Sequence, residues 1–461
     1  MGAFDDLIQF SDDMGGSGSD GIVSVEEMSD LAKAMQVGYG TDAASFSGTR
    51  ALTLESLEDT LKLLTYGDRQ MQSTLFSFLY KKAKKAASTV EEYTTIDSWG
   101  EAGTFMGEMT DPQEEDLDLT RHTAQVKYQR TKVKISDVAL LTKKQADIEG
   151  LAALGGARRL GIATERALWD GDSSIIPTEF DGLKRTIAAS GDAEQTIDLA
   201  GAQLDEDYLI QGAHVMAERF GTPSHMFTPL AVLKSLNQNL ESGSGRYQFP
   251  LTGSGEIWFG RKPMGLHTEF GDIRFQADWF PGFNADPPAA ADNTDCPSQP
   301  TIAITAVSDA TSLLAADTYY YTVVAENQYG RSARSAESSQ AIAAGEKARI
   351  AITTGGGTVS AYRIYRSTTT GTTKYIGRAA YSASPQNYDD LNASRHDCYS
   401  AVMVDLESAA DLETMAWKQF LPMSRKRLAP IGSFIHWLQY LYGTVVYYAP
   451  KRIIHFKNIG V

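Results

Sequence analysis

Apolar positions along this chain change their spacing in blocks, and each change marks a predicted element. From Leu52 onward, Leu54, Leu57, Leu61 and Leu64 recur at helical spacing, and Met71, Leu75, Phe78 and Leu79 extend the stripe to the basic run Lys81, Lys82, Lys84 and Lys85. Residues 94–140 switch to period two, with Val126, Tyr128, Val133 and Ile135 separated by charged residues. That predicts a long, solvent-facing antiparallel ribbon rather than a core strand. Lys143–Asp170 returns to helical spacing through Ile148, Leu151, Leu154, Ala163, Ala167 and Leu168 without a proline, enough for a helix of roughly 40 Å. A further helix is predicted from Asp205 to Phe220. Thr228 and Pro229 then look like an N-cap and first helical residue opening Leu230, Leu233, Leu236 and Leu240.

The Gly/Ser-rich stretch Glu241–Glu256 predicts a mobile loop, and IWFG, LHTEF and IRFQADWF read as strands. At Asp286 the texture becomes DPPAAADNTDCPSQP, a linker. TIAITAVS, TYYYTVVAEN, ARIAITT, AYRIYRS and KYIGRAA follow at the close spacing of a separate all-β sandwich of about 100 residues. Beyond Cys398 a helical texture resumes over Asp411–Phe420, then the strands TVVYYAP and RIIHFKN. At the other end, two short helix-like pieces, Phe4–Phe10 and Val25–Met35, are joined by the flexible Met14–Gly21 connection, which makes residues 1–50 an arm.

Composition narrows what such a chain can do. Its 461 residues, 42% hydrophobic and 22% charged, are globular and suffice for two to four domains. A net charge of −16 argues against gripping nucleic acid over most of the surface. Two cysteines, Cys296 and Cys398, build neither a disulfide framework nor a four-thiolate zinc site. MGAFDDLIQFSDD lacks the basic and apolar regions of a secretory signal, and Phe434–Ala449 is too short and polar to span a bilayer, so no membrane partner is expected.

Candidate chemistry is sparse. The seven histidines (His122, His214, His225, His267, His396, His436 and His455) are scattered, with no HExxH, G-x-S-x-G or phosphate-loop motif, so no catalytic residue or cofactor is expected. Asp20–Glu27 copies the second half of a calcium loop. However, Gly16 and Gly18 stand where carboxylates must coordinate, which favours a linker and no metal. Lys81–Lys85 reads as a solvated face in preference to a DNA contact. The ribbon has an acidic tip, Asp111, Glu114, Glu115, Asp116 and Asp118, and a basic return strand, Arg121, Lys127, Arg130, Lys132 and Lys134. Opposite signs on one ribbon suit docking onto further copies of the chain.

The order of arm, amphipathic helix, ribbon, long helix, mixed domain and late strand pair resembles a tailed-bacteriophage major capsid protein over roughly residues 50–290 and 400–461. The likeness is carried by IDSWGEAGTFMGEMTDP, VKYQRTKVKISDVALLT, Lys143–Asp170, GTPSHMFTP and YGTVVYYAPKRIIHFKNIGV. The resemblance implies an α+β Hong Kong 97-type fold. Its parts would be an N-terminal arm (1–50), a helix leading into the peripheral domain (51–93), an extended loop (94–140), peripheral and axial domains with a spine helix (141–285), and their remainder (398–461). Some members of that family crosslink covalently; Lys127, Lys132, Lys134 and Asn458 invite the comparison, which needs a buried carboxylate that the sequence does not show.

Residues 286–397 would hold linkers and an insert that resembles a fibronectin III or immunoglobulin-like sandwich, on Tyr319–Asn327, Gly330–Ser332 and Tyr362–Ser367. The tyrosine strand precedes the YRIYRS strand and the Tyr388–Asp390 corner, whereas it follows them in the usual module. A circular permutation would explain this, with converging ends, an outward-projecting and dispensable insert, and a possible disulfide between Cys296 and Cys398 across its neck.

The resemblance implies a structural role. Copies would form hexamers and pentamers of an icosahedral virion shell, assembled in the bacterial cytoplasm. The shell would enclose double-stranded DNA without sequence-specific binding, and a portal and cement or decoration proteins would be partners. The alternative is a phage tail or surface protein whose immunoglobulin-like module binds host carbohydrate; a monomer on a sizing column favours it, and rings or shells favour the capsid.

Overall fold

The computed structural model describes residues 74–98, 105, 107–111, 117–141, 148–242, 265–278, 286–382, 386–408, 413–429 and 432–461. The expected arm, the calcium-like segment, the helical run Leu54–Leu64, residues 243–256 of the Gly/Ser loop, the IWFG strand and the tip residues Glu114, Glu115 and Asp116 lie outside them.

The described chain opens with helix α1 (Thr74–Lys81), the short strand β1 (Lys84–Lys85) and strands β2 (Val90–Ser98), β3 (Asp118–Gln125) and β4 (Lys127–Ser136). Helix α2 (Asp137–Leu141) leads to α3 (Ile148–Asp170), whose 23 residues span about 35 Å. Then come α4 (Leu183–Ala189), β5 (Thr196–Asp198), α5 (Glu206–Glu218), β6 (His225–Thr228), α6 (Leu230–Ser242), β7 (Gly265–Thr268) and β8 (Gly271–Ala277). The Asp205 carboxylate caps α5, accepting from Glu206 N at 2.7 Å. Thr228 ends β6 instead of capping α6: the first carbonyl of that helix to accept is Pro229 O, from Leu233 N at 3.2 Å.

The all-β segment contains β9 (Thr301–Ser308), β10 (Asp317–Asn327), β11 (Gly330–Arg331), β12 (Ser338–Ile342), β13 (Glu346–Thr353), β14 (Ala361–Ser367), β15 (Lys374–Ala380) and β16 (Asn387–Asp390). The chain closes on β17 (Tyr399–Val404), β18 (Met415–Arg427), β19 (Phe434–Tyr447) and β20 (Ile453–Ile459).

Two readings of the pattern change here. The ribbon divides at Val126: β2 pairs with β3, but β4 leaves them and pairs along its length with β19, from Lys127 opposite Gly443 to Ser136 opposite Phe434, in the sheet β1-β18-β19-β4. Val133 and Ile135 are therefore buried, packed with Trp437 against Ala152 and Ala153 of α3. The second change is the stretch Asp411–Phe420, whose described part, Glu413–Phe420, enters strand β18 and not a helix. Its apolar run suits either form, and pairing with β19 settles it; the register slips twice around Leu421, where the bulge accommodates Pro422.

A six-stranded sheet, β5-β20-β17-β6-β8-β7, separates two cores. Period-two alternation sends Phe227, Val402, Val404 and Ile453 toward α1, α3 and Trp417, while Met226, Met403, Ile454 and Phe456 meet α5 and α6 through Leu209, Met216, Val232 and Leu236. Each strand residue thus serves one layer or the other.

Residues 301–390 form two further sheets, β11-β10-β14-β15 with β12 on β10, and β16-β13-β9. Tyr321, Val323, Tyr362 and Ile364 of the first interleave with Ala348, Ile350 and Ile352 of the second. The expected convergence of the ends does not occur. The chain enters at Thr301 opposite Thr353 and leaves at Asp390 opposite Ala348, about 17 Å further along β13 and heading away. Cys296 sits beside Gly330 at the first end, Cys398 beside Gly201 past the second, and neither is in a disulfide. No clasp closes the neck, because parallel β9 and β16 carry the chain in one direction.

Candidate self-assembly surface

At the root of the ribbon, Tyr93 Oη donates to Tyr447 O at 2.9 Å, and its ring stacks on His122 at 5.1 Å. Arg121 pairs with Glu92 across the two strands, so this predicted contact residue is held within its own ribbon. From Gln125 the eight residues of β3 run about 27 Å outward. Ile96, Leu117 and Leu119 are exposed on the way, and Phe105 and Met109 beyond them are completely exposed, at 101% and 100%. Among the described residues nothing covers this apolar end, and an exposed apolar patch of that kind marks a surface that another molecule buries.

Strand β4 presents two different faces. On the inner one, Lys127 Nζ donates to Pro177 O at 2.7 Å, and Gln129 accepts from Thr164 Oγ1 at 2.6 Å. Lys127 is thus engaged within the chain. On the outer face stand Tyr128, Arg130, Lys132 and Lys134, beside Leu438, Tyr440 and Tyr442 of β19 and then Lys426 of β18. The Arg130 guanidinium lies 5.4 Å from the Tyr442 ring and Lys134 Nζ 3.6 Å over Phe434, while Tyr128 meets Tyr442 edge-on at 5.0 Å. Rings and cations hold each other in place on a rigid sheet. The outer face of these described strands carries Arg130, Lys132, Lys134 and Lys426 and no carboxylate, in a chain of net charge −16. Lys426, Phe434, Tyr440 and Tyr442 were not singled out by sequence. The alternation Tyr440-Leu441-Tyr442 was the available signal, but it has no meaning until β19 is known to pair with β4.

Elsewhere charge is spent inside the chain. Lys82 Nζ donates to Leu406 O at 2.8 Å and Lys84 pairs with Glu413, so two lysines of the basic run are committed to in-chain partners. Asn458, with a left-handed φ of 55°, accepts from Arg395 N at 2.9 Å and donates to Asp198 at 2.9 Å, fastening the connection that leaves the all-β segment to β20.

The outer face of the β10–β14–β15 sheet is buried as well. Val324 and Tyr365 are fully covered, and a charge network meets the body. Glu326 is flanked by Arg363 (2.6 Å) and Arg378, and Arg378 also holds Glu179 through bonds of 2.8 and 3.1 Å. Burial pushes Glu326 up, but the two guanidiniums outweigh it and hold the carboxyl below its usual range. The segment is docked against the C-terminal half of α3, where Asp170 answers Lys184 at 2.7 Å.

No cluster of three or more metal-ligating side chains occurs among the described residues, and no described helix is long and apolar enough to cross a membrane.

No protein-family model matches the chain. By sequence it is 27% identical over 231 residues to a putative major capsid protein of Enterococcus phage phiEF24C, covering 48% of this chain and 47% of that protein. It is 26% identical over 211 residues to the major capsid protein of Staphylococcus phage K, covering 44% of each. The chain matches less than half the length of these relatives. Among solved structures, the capsid of a native GTA particle aligns over 92% of this chain and all of that one, with a TM-score of 0.47 and 10% identity. The SrpI encapsulin of Synechococcus elongatus PCC 7942 aligns over 89% and 94%, with a TM-score of 0.44 and 6% identity. The sequence relatives of this mixed α+β chain are, by name, major capsid proteins of bacteriophages.

Proposed function

We propose that this chain is a bacteriophage major capsid protein, a structural protein and not an enzyme, whose copies build the virion shell. The similarity over 231 residues to a phage capsid protein carries the reading. In its finer form the copies make hexamers and pentamers around double-stranded DNA, on a Hong Kong 97-type fold with residues 1–50 as arm and α3 as spine helix. The all-β segment is an immunoglobulin-like insert, and portal and cement proteins complete the head.

The ribbon and the basic face supply a way for copies to join. The acidic stretch of the sequence from Asp111 to Asp118 enters β3 at Asp118, about 27 Å along that strand from Gln125. Its counterpart is the face formed by Arg130, Lys132, Lys134 and Lys426 on a second copy, with complementary charge guiding the encounter. Net acidity keeps the rest of the shell from holding packaged DNA through many phosphate contacts.

Negative-stain microscopy of the full-length chain tests the reading, with rings, tubes or shells expected. The triple substitution Lys132→Glu, Lys134→Glu, Lys426→Glu leaves the fold intact and abolishes these particles. A wild-type chain that stays monomeric at high concentration refutes the capsid reading, and normal particles from the triple variant refute this docking surface.

A further inference from the structure

Helix α3 turns one side to the body of the chain and leaves another uncovered. Ala152 and Ala153 pack against Val133 and Trp437, whereas Leu151 and Leu154 are 48% and 49% exposed. Positions 151, 154, 158 and 162 recur at helical spacing and form one stripe along about 16 Å of the helix. The stripe runs into a groove of about 310 Å³, walled by Phe76 and Tyr80 of α1, Ala157, Gly161 and Ile162 of α3, and Met423 of β18. A single exposed leucine means little, but a stripe that continues into an apolar groove marks a surface that another molecule covers.

Two further features define what covers it. Gly155 lies on the same side as the two leucines, and a β-carbon there would meet nothing within 4 Å, so no contact among the described residues demands a glycine. Glycine in a helix interior lowers helix stability relative to alanine; what it supplies here is room for a partner's backbone. The second feature is charge. Arg158 is the only charged residue on the groove walls among the described residues, and it is exposed, with no ion pair or hydrogen bond to them. Arg159 beside it reaches only Gly155 O of its own helix, at 3.5 Å. Glu149, near the start of α3, is already held by Arg425 and Arg427 at 3.0 and 2.8 Å. An apolar groove flanked by two unneutralised guanidiniums, in a chain of net charge −16, calls for an acidic partner.

We propose that the α1–α3 groove receives an amphipathic helix of another protein, its apolar side on the leucine stripe and its polar side acidic, with a carboxylate against Arg158. Residues three and four apart on α3 form ridges between which the side chains of a third helix fit, the usual way a helix is held in a groove. A second copy covering the groove with the same face would set Arg158 against its own counterpart, whereas an acidic helix neutralises it. The inference does not depend on what the chain assembles into.

Fluorescence anisotropy of a labelled peptide added to the full-length chain tests it. The probe is a synthetic helix of about 18 residues with leucines at i, i+3, i+4 and i+7 spacing and glutamates elsewhere, and its lysine counterpart is the control. The glutamate peptide is expected to bind in the micromolar range, as suits a contact below about 1,200 Å². It should bind at least about tenfold more tightly than the lysine peptide. Leu154→Asp and Arg158→Glu, both at exposed positions that leave the fold intact, each weaken its binding at least about tenfold. Arg158→Glu also gains affinity for the lysine peptide, which a merely structural effect would not produce. Lys234→Glu, exposed on α6, leaves binding within about twofold. No binding, equal affinity for the two peptides, unchanged binding in Leu154→Asp and Arg158→Glu, or an equal loss in Lys234→Glu overturns the proposal.

Discussion

Replacing Arg378 by methionine is the sharpest test of how the all-β segment is held. The side chains of Arg378 and Glu326 are each 6% exposed, whereas Glu179 is 30% exposed. Methionine keeps most of the buried aliphatic volume and removes the guanidinium that joins the segment to the body. Breaking a buried ion pair by deleting one partner costs about 3–5 kcal/mol, since the remaining charge stays buried. Glu326 retains Arg363, and Glu179 reaches water, so the lower end applies: about 3 kcal/mol, or roughly 150-fold in the folding equilibrium. The loss should come from Glu326 and not from Glu179. Glu326→Gln in the methionine background is expected to restore about half of it, while Glu179→Gln restores less than about 1 kcal/mol, as suits a partly solvated group. Urea denaturation of unassembled chains, with limited proteolysis of the connection at residues 286–300, reads both stability and release. A methionine variant within about 0.5 kcal/mol of wild type, or no recovery on neutralising Glu326, would refute the claim that this network docks the segment.

Three further outcomes follow from particular environments. Burial, and then Asp397, push the Cys398 thiol up to about 12, so alkylation at pH 8 followed by peptide mass mapping should find Cys398 largely unmodified and never bridged to Cys296; modification within minutes contradicts this. A methyl group at Gly171 would lie 2.4 Å from Ala167 O and 2.5 Å from Phe180 O, both backbone, so Gly171→Ala should lose about 2–3 kcal/mol in the same denaturation assay, and an unchanged midpoint argues against this tight reversal. Burial drives His455 down to about 3, leaving it neutral in the folded chain; its contribution is present above pH 6.5 and lost as pH falls toward about 3, so His455→Leu should flatten the decline of stability in acid, and parallel profiles refute it.

The sequence alone determined what is local. The long helix ending at Asp170, the Asp205-capped helix and the short strands between Thr301 and Asp390 follow from spacing and caps, because each forms its defining hydrogen bonds among neighbours or presents one consistent face. Charge separation along residues 94–140 was legible for the same reason. It marked Arg130, Lys132 and Lys134, yet could not distinguish them from Lys127, which turns inward to Pro177.

Tertiary structure decided whatever depended on partners distant in the chain. Strand β4 is a core strand because β19, some 300 residues later, pairs with it and α3 covers one side; period two is equally compatible with a free ribbon. β18 is a strand because the same partner satisfies its backbone, with a bulge to admit Pro422. The ends of the β-segment diverge because β9 and β16 flank β13 in parallel, which no residue count reveals. Glu165 is unremarkable until α3 brings its carboxylate to the first turn of α1, where the amides of Leu75 and Phe76 donate to it. Proximity across some ninety residues is a property of packing, which spacing along the chain does not reveal.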